Sequence, residues 1–138
     1  MHRVFGRTGR RIILGSYGTV ASEVRAPEGV NCLNVSLRKG EKWRYEPPSG
    51  HTVAWAAVHE GELATPAIGA GELAVFEESN APVEFEAIES TGFIIGSAVK
   101  HPHNLVFGTY SVHTTRHALE KGEARIAEIG KGYHFVRS

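Results

Sequence analysis

Short stretches of alternating apolar and polar residues, punctuated by glycine and proline, run along most of the chain. In Val30–Leu37, Leu33, Val35 and Leu37 alternate with Cys32, Asn34 and Ser36, the period of two that puts one set on each face of a strand. Trp43 and Tyr45 share a face on the next predicted strand, after a Lys39-Gly40 turn. Val83, Phe85 and Ala87 alternate with Glu84 and Glu86, which describes a strand with one wet face. The stretch 93–99 is apolar and small, and 106–112 reads as one more short strand. Near the start, residues 11–20 read as a strand broken by a Gly15-Ser16-Tyr17-Gly18 turn.

The stretch 51–76 organises the rest. Val53, Trp55 and Ala57 alternate with Ala54, Ala56 and Val58, so both faces of this strand are apolar or small, as expected between two layers. Glu60-Gly61 and Gly69-Ala70-Gly71 supply sharp reversals, and the whole reads as a β-meander with a buried centre. Ala54, Ala56 and Val58 are expected to point inward. Pro47-Pro48-Ser49-Gly50 forces a loop ahead of it, because proline has no N–H for a central ladder. Only the tail has helical character. Thr114 or Thr115 can cap a helix over 114–130, with a break or kink at Gly122, where glycine costs roughly 1 kcal/mol relative to alanine. Many short strands, glycine and proline turns and one terminal helix predict an antiparallel barrel or double-sheet jelly roll.

Composition narrows the class without naming a reaction. A chain of 138 residues suits a single domain over 1–138, with 41% hydrophobic and 22% charged residues. Lys+Arg and Asp+Glu both number 15, which removes any bulk electrostatic case for nucleic acid or an anionic membrane. The basic arm over 1–10, with Arg3, Arg7 and Arg10, reads as the solvated edge of the first strand. The single cysteine, Cys32, excludes an intrachain disulfide and suits a reducing compartment such as the cytoplasm. No apolar run approaches membrane-spanning length.

From about Arg11 to Gly132 the chain resembles the C-terminal half of the pirin family, two-barrel members of the cupin superfamily. The resemblance lies in Ile13-Leu14-Gly15-Ser16-Tyr17-Gly18, Val53-Ala54-Trp55 leading to Glu60-Gly61, and Gly69-Ala70-Gly71-Glu72-Leu73-Ala74-Val75. It continues in Phe93-Ile94-Ile95-Gly96 and in Phe107-Gly108-Thr109-Tyr110-Ser111-Val112-His113-Thr114. It implies an all-β, cupin-type antiparallel β-sandwich barrel with a short C-terminal helix. The metal-bearing half, which would precede this segment in the family, is not in the sequence. The metal ligands of a cupin fall here at Glu46, Pro48, Ala54 and Ala74, so the family's iron and its dioxygenase-type quercetin oxidation do not carry over to these residues. The resemblance therefore implies a cupin without metal or other cofactor, acting as a structural, small-ligand-binding or protein-interaction module. The alternative is a metal-dependent dioxygenase or isomerase with iron or another divalent ion on an atypical set, Glu46 with some of His51, His101 and His103.

The candidate pocket comprises Trp43, Tyr45, Glu46, Ala54, Ala56 and Ala74, where small inward residues are expected to leave an apolar cavity for a small ligand. The candidate interface comprises Val53, Trp55 and Ala57 with His51 and His59 at the rim, where protonation would weaken association. It predicts a homodimer, with a partner protein, or a separate metal-bearing chain, as the other occupant. His101-Pro102-His103, followed by His113 and His117, reads as a surface loop; a metal site there is the alternative. Glu77-Glu78 is not an acid/base pair, since strand neighbours point to opposite faces. Gly69-Ala70-Gly71 lacks a following Lys-Ser/Thr and is a turn rather than a phosphate loop.

Overall fold

The computed structural model describes residues 9–133. The chain divides into two units, one ending at Lys100 and the other beginning at His101. The first is a β-sandwich built from β1 (Gly9–Leu14), β2 (Ser16–Tyr17), β3 (Val20–Ala21), β4 (Val30–Leu37), β5 (Lys42–Tyr45), β6 (His51–Glu60), β7 (Glu62–Thr65), β8 (Ile68–Gly69), β9 (Leu73–Val75), β10 (Val83–Ala87) and β11 (Thr91–Val99). One sheet runs β1-β4-β11-β6-β9 and the other β5-β10-β7-β8, with β2 and β3 as a small separate ribbon. The pairings are antiparallel, as in a jelly roll.

The alternation in β4 is realised residue for residue: Leu33, Val35 and Leu37 are buried, while Cys32, Asn34 and Ser36 lie on the outer face. The inner faces meet in one core. Leu33, Val35, Ala56, Val58, Phe93 and Ile95 from the larger sheet pack with Tyr45, Leu63, Ile68, Phe85 and Ala87 from the smaller. Phe85 and Phe93 meet across the sandwich with ring centroids 4.8 Å apart, and Trp43 stacks on Phe85 at 5.8 Å. Glu84 and Glu86 face water, paired with Arg44 and Lys42 on the neighbouring strand.

The stretch 51–76 is not a meander. β6 pairs with β11 and β9, whereas β7 pairs with β8 and β10 in the opposite sheet. Gly61 carries the chain from one sheet to the other at φ 77°, and a side chain there would run into the backbone of Ser90 and Thr91. Crossing so tightly requires a residue without Cβ. Nor is β6 covered on both sides by this unit. Its inner face is buried, but Trp55 on the outer face is 38% exposed, beside Val75 at 76% and Leu73 at 63%.

The second unit is a hairpin and a helix. Residues 106–112 are not one strand: β12 (Val106–Phe107) and β13 (Val112–His113) pair with each other around Gly108-Thr109-Tyr110-Ser111. Helix α1 (Arg116–Lys131) starts at Thr115, whose Oγ1 accepts the N–H of Ala118 at 3.1 Å. No break occurs at Gly122. The ring of His113 lies against the helix there, in space that a Cβ would occupy, so glycine is kept for packing despite its helix propensity. Residues 1–8 of the basic arm lie outside the described residues. Arg10 is on β1, with its guanidinium carbon 5.8 Å from the Trp43 ring centroid. Among the described residues no helix is long and apolar enough to cross a membrane.

Candidate functional site

The strand pattern puts His51 on the face of Trp55, but the structure does not. Val53 faces Ala98 and His51 faces Val99, so Thr52 is an extra residue in β6. One such bulge reverses the side-chain parity beyond it. His51 therefore turns into the sandwich, 5% exposed, instead of standing at an outer rim. There it joins a buried polar chain: Ser97 Oγ lies 2.8 Å from His51 Nδ1 and 2.6 Å from the Tyr45 hydroxyl oxygen. Burial lowers the His51 pKa from its ordinary value, partly offset by a hydrogen bond to the Ser97 backbone. Burial likewise raises that of Tyr45, against hydrogen bonds from Ser97 and Asn31.

Asn31 completes the group from β4. Its Oδ1 accepts the N–H of Ser16 at 3.1 Å, and its Nδ2 donates to the Ser16 carbonyl at 2.6 Å. This reciprocal pair fixes which amide end points which way. The same contact requires Gly15, where a Cβ would collide with Asn31 and the Val30 carbonyl. Tyr17, stacked 5.1 Å from Tyr45, accepts the N–H of Glu46 at 3.0 Å.

The other pocket residues separate. Tyr45 and Ala56 are fully buried in the packed core, and Trp43 and Ala74 pack against it. Phe85, Phe93 and Phe76 fill the interior that the alanines leave. Glu46 is not in the interior: its carboxylate pairs with Arg44 on the surface at 3.0 Å. Ala54 borders a cavity of about 120 Å³ at one end of the sandwich, which His51 also lines. Trp43 Nε1 is buried without a hydrogen-bond partner among the described residues.

The residues do not fit a cupin metal. Pro48, Ala54 and Ala74 offer no donor, Glu46 is turned away, and His51, the one inward imidazole among the described residues of the sandwich, lies 2.8 Å from a hydroxyl. Among the described residues no group of three or more His, Cys, Asp or Glu is arranged to hold a metal ion. The histidines of the second unit stand apart. His101 and His103 are exposed and bonded to each other through Nδ1 and backbone, His113 Nε2 lies 2.8 Å from Ser111 Oγ, and His117 is on α1.

On the outer face Val53, Trp55 and Ala57 lie together as expected, next to Leu73 and Val75 of β9. The Trp55 indole covers Gly96 on β11, where a Cβ would stand 2.5 Å from Cε2. His59 stays on this face, over Gly92, with Nε2 3.1 Å from Asn34 Oδ1. Cys32 is free and half-buried on the same sheet, its thiol pKa raised by burial.

Solved structures with this architecture are cupin-fold proteins, and the chain folds as a cupin-type β-sandwich with a C-terminal helix. A quercetin 2,3-dioxygenase from Acinetobacter baumannii superposes with a TM-score of 0.74 at 21% identity, over 88% of this chain and 43% of that one. A second structure under the same description gives 0.69 at 13% identity, over 94% and 46%. An RmlC-like cupin from Desulfovibrio desulfuricans gives 0.48 at 14% identity, over 67% and 82%. This chain thus spans less than half the length of the first two. At these identities the likeness concerns the fold alone. No model of a known protein family matches the sequence, and no curated protein matches it.

Proposed function

We propose that this chain is a pirin-like cupin that works without a metal, as a small-ligand-binding and self-associating module. One observation carries the reading. The positions that hold a cupin's metal are Glu46, Pro48, Ala54 and Ala74, and the only carboxylate among them is committed to Arg44 outside the barrel. Two imidazoles replaced by glutamate and proline leave nothing that binds a borderline divalent ion tightly. On this reading the activity of the quercetin 2,3-dioxygenases of similar fold is not expected of this chain, since among the described residues no group of three or more His, Cys, Asp or Glu is arranged to hold a metal ion.

The test is metal analysis of protein purified without a histidine tag or a nickel column. Less than about a tenth of an equivalent of any transition metal is expected, consistent with a site lacking nitrogen and oxygen ligands. A stoichiometric ion that is lost on His51→Ala or His101→Ala would overturn the proposal in favour of a dioxygenase or isomerase with an unusual ligand set.

The same reading includes a homodimer. Trp55, Leu73 and Val75 form a contiguous exposed apolar row with Val53 and Ala57, on a flat sheet face that soluble monomers seldom leave bare. A second copy covers such a face under two-fold symmetry, the commonest arrangement of soluble oligomers. His59 and Asn34 supply polar neighbours at its margin.

A further inference from the structure

His51 is buried, yet one of its nitrogens has no partner. Nδ1 is taken by Ser97, while Nε2 makes no hydrogen bond among the described residues. Unlike Trp43 Nε1, it is not sealed from solvent. The ring forms the wall of the 120 Å³ cavity at the end of the sandwich. Pro47, Ala54, Phe76 and Val83 supply apolar lining, and Glu77 and Ser79 are its other polar neighbours. His51 also borders a wider cleft of about 380 Å³, but Ser16 and Asn31 there are already bonded to each other and Ser22 to Ile13 and Val24. The smaller cavity is lined mainly by apolar side chains, with His51, Glu77 and Ser79 as its polar members and Ser79 Oγ accepting the Ala81 N–H.

Ser97 Oγ lies within hydrogen-bond distance of both the Tyr45 hydroxyl and His51 Nδ1, so among the side-chain contacts Nε2 is the ring nitrogen left for a ligand. A ligand hydroxyl can either donate to an imidazole nitrogen or accept from it. Cavities of about 150 Å³ lined by aliphatic and aromatic side chains are known to take a benzene ring. A space of about 120 Å³ comes close to that size.

We propose that His51 Nε2 anchors an uncharged, single-ring ligand bearing one hydrogen-bonding oxygen, a phenol-sized molecule, with Ala54 and Phe76 against the ring. The proposal rests on the metal-free reading above, since a metal beside Ala54 would take the same space. An anionic ligand is disfavoured by Glu77 in the lining and by the loss of hydration inside. His51 lies outside the positions that a cupin's metal ligands occupy, so the site is one this chain has built from its own bulge at Thr52.

The test is NMR of isotope-labelled protein titrated with phenol, benzene and sodium benzoate, on samples whose metal content is also measured. Phenol is expected to shift the His51 ring and Ala54 methyl signals with a Kd on the order of 1 mM, as for a ligand of so few atoms. Benzene should bind roughly five- to tenfold more weakly, having no oxygen for Nε2, and benzoate should not bind. Ala54→Leu should abolish the phenol shifts by filling the chamber. Phenol without effect at about 20 mM, benzene binding as tightly as phenol, or an unchanged affinity in a folded Ala54→Leu would each overturn the assignment. Should Ala54→Leu not fold, the phenol and benzene comparison on the unaltered protein decides it. A stoichiometric metal in the sample sinks the metal-free reading whatever phenol does. A metal-free protein that ignores phenol sinks only the ligand.

Discussion

Tyr45 and His51, on different sheets of the sandwich, are joined through a single hydroxyl: Ser97 Oγ lies 2.6 Å from one and 2.8 Å from the other. Ser97→Ala removes the middle of this buried chain and leaves both partners without it. An unsatisfied buried polar group costs about 1–3 kcal/mol, so a loss of roughly 2–4 kcal/mol is expected in urea unfolding. Tyr45→Phe combined with Ser97→Ala should lose less than the sum of the two, because the second change removes a group the first had orphaned. Simple additivity would show that the hydroxyls do not act as a unit.

Acid should destabilise the protein through His51. Its folded pKa lies below the ordinary value of 6.5, so as pH falls through that value the unfolded chain takes up a proton and the folded one does not. Stability from this group is present at neutral pH and declines below about 6.5, by at most about 1.4 kcal/mol per pH unit. Tyr45 lies in the same chain, and Glu28 and Glu77 border the clefts beside the ring. Unfolding curves at a series of pH values for the unaltered protein and His51→Gln provide the check. A slope that is the same in both would exclude His51 as its source.

Gly122→Ala separates helix propensity from packing. Propensity alone would stabilise α1 by about 1 kcal/mol. The added methyl meets the His113 ring instead, and a net loss on the order of 1 kcal/mol is expected. Adding His113→Ala should make the alanine at 122 favourable again. Thermal unfolding of the two single variants and the pair distinguishes these outcomes.

Trp55→Arg addresses self-association. The unaltered protein is expected to run as a dimer by light scattering at micromolar concentration, and the variant as a folded monomer, since a guanidinium at the centre of an apolar interface would be buried unpaired. Because the indole also covers Gly96, circular dichroism must show that the variant remains folded. A monomeric unaltered protein, or a dimeric folded variant, would refute the interface.

Much of the fold is legible along the chain, and the candidate site is not. Leu33, Val35 and Leu37 announce their face by alternation, and Thr115 lies at an expected helix start, because these are properties of neighbouring residues. His51 looks like a partner of Trp55 for the same reason, and that inference fails at Thr52. Whether a strand carries an extra residue depends on the strand beside it, here β11, some forty residues further along. Asn31 stands on the apolar side of β4 with no local sign of its purpose; Ser16 and Tyr45, which give it one, come from other strands.

The sequence by itself determined most of the strands, their inward faces and the terminal helix. These follow from side-chain period and turn chemistry. Only the tertiary structure decided that β7 leaves the sheet of β6, that Glu46 turns outward to Arg44, that His51 turns inward, and that His113 fills the space beside Gly122. Each of those outcomes is a contact between segments distant in sequence. Close packing and the need to pair buried polar groups select among alternatives that local pattern leaves equivalent.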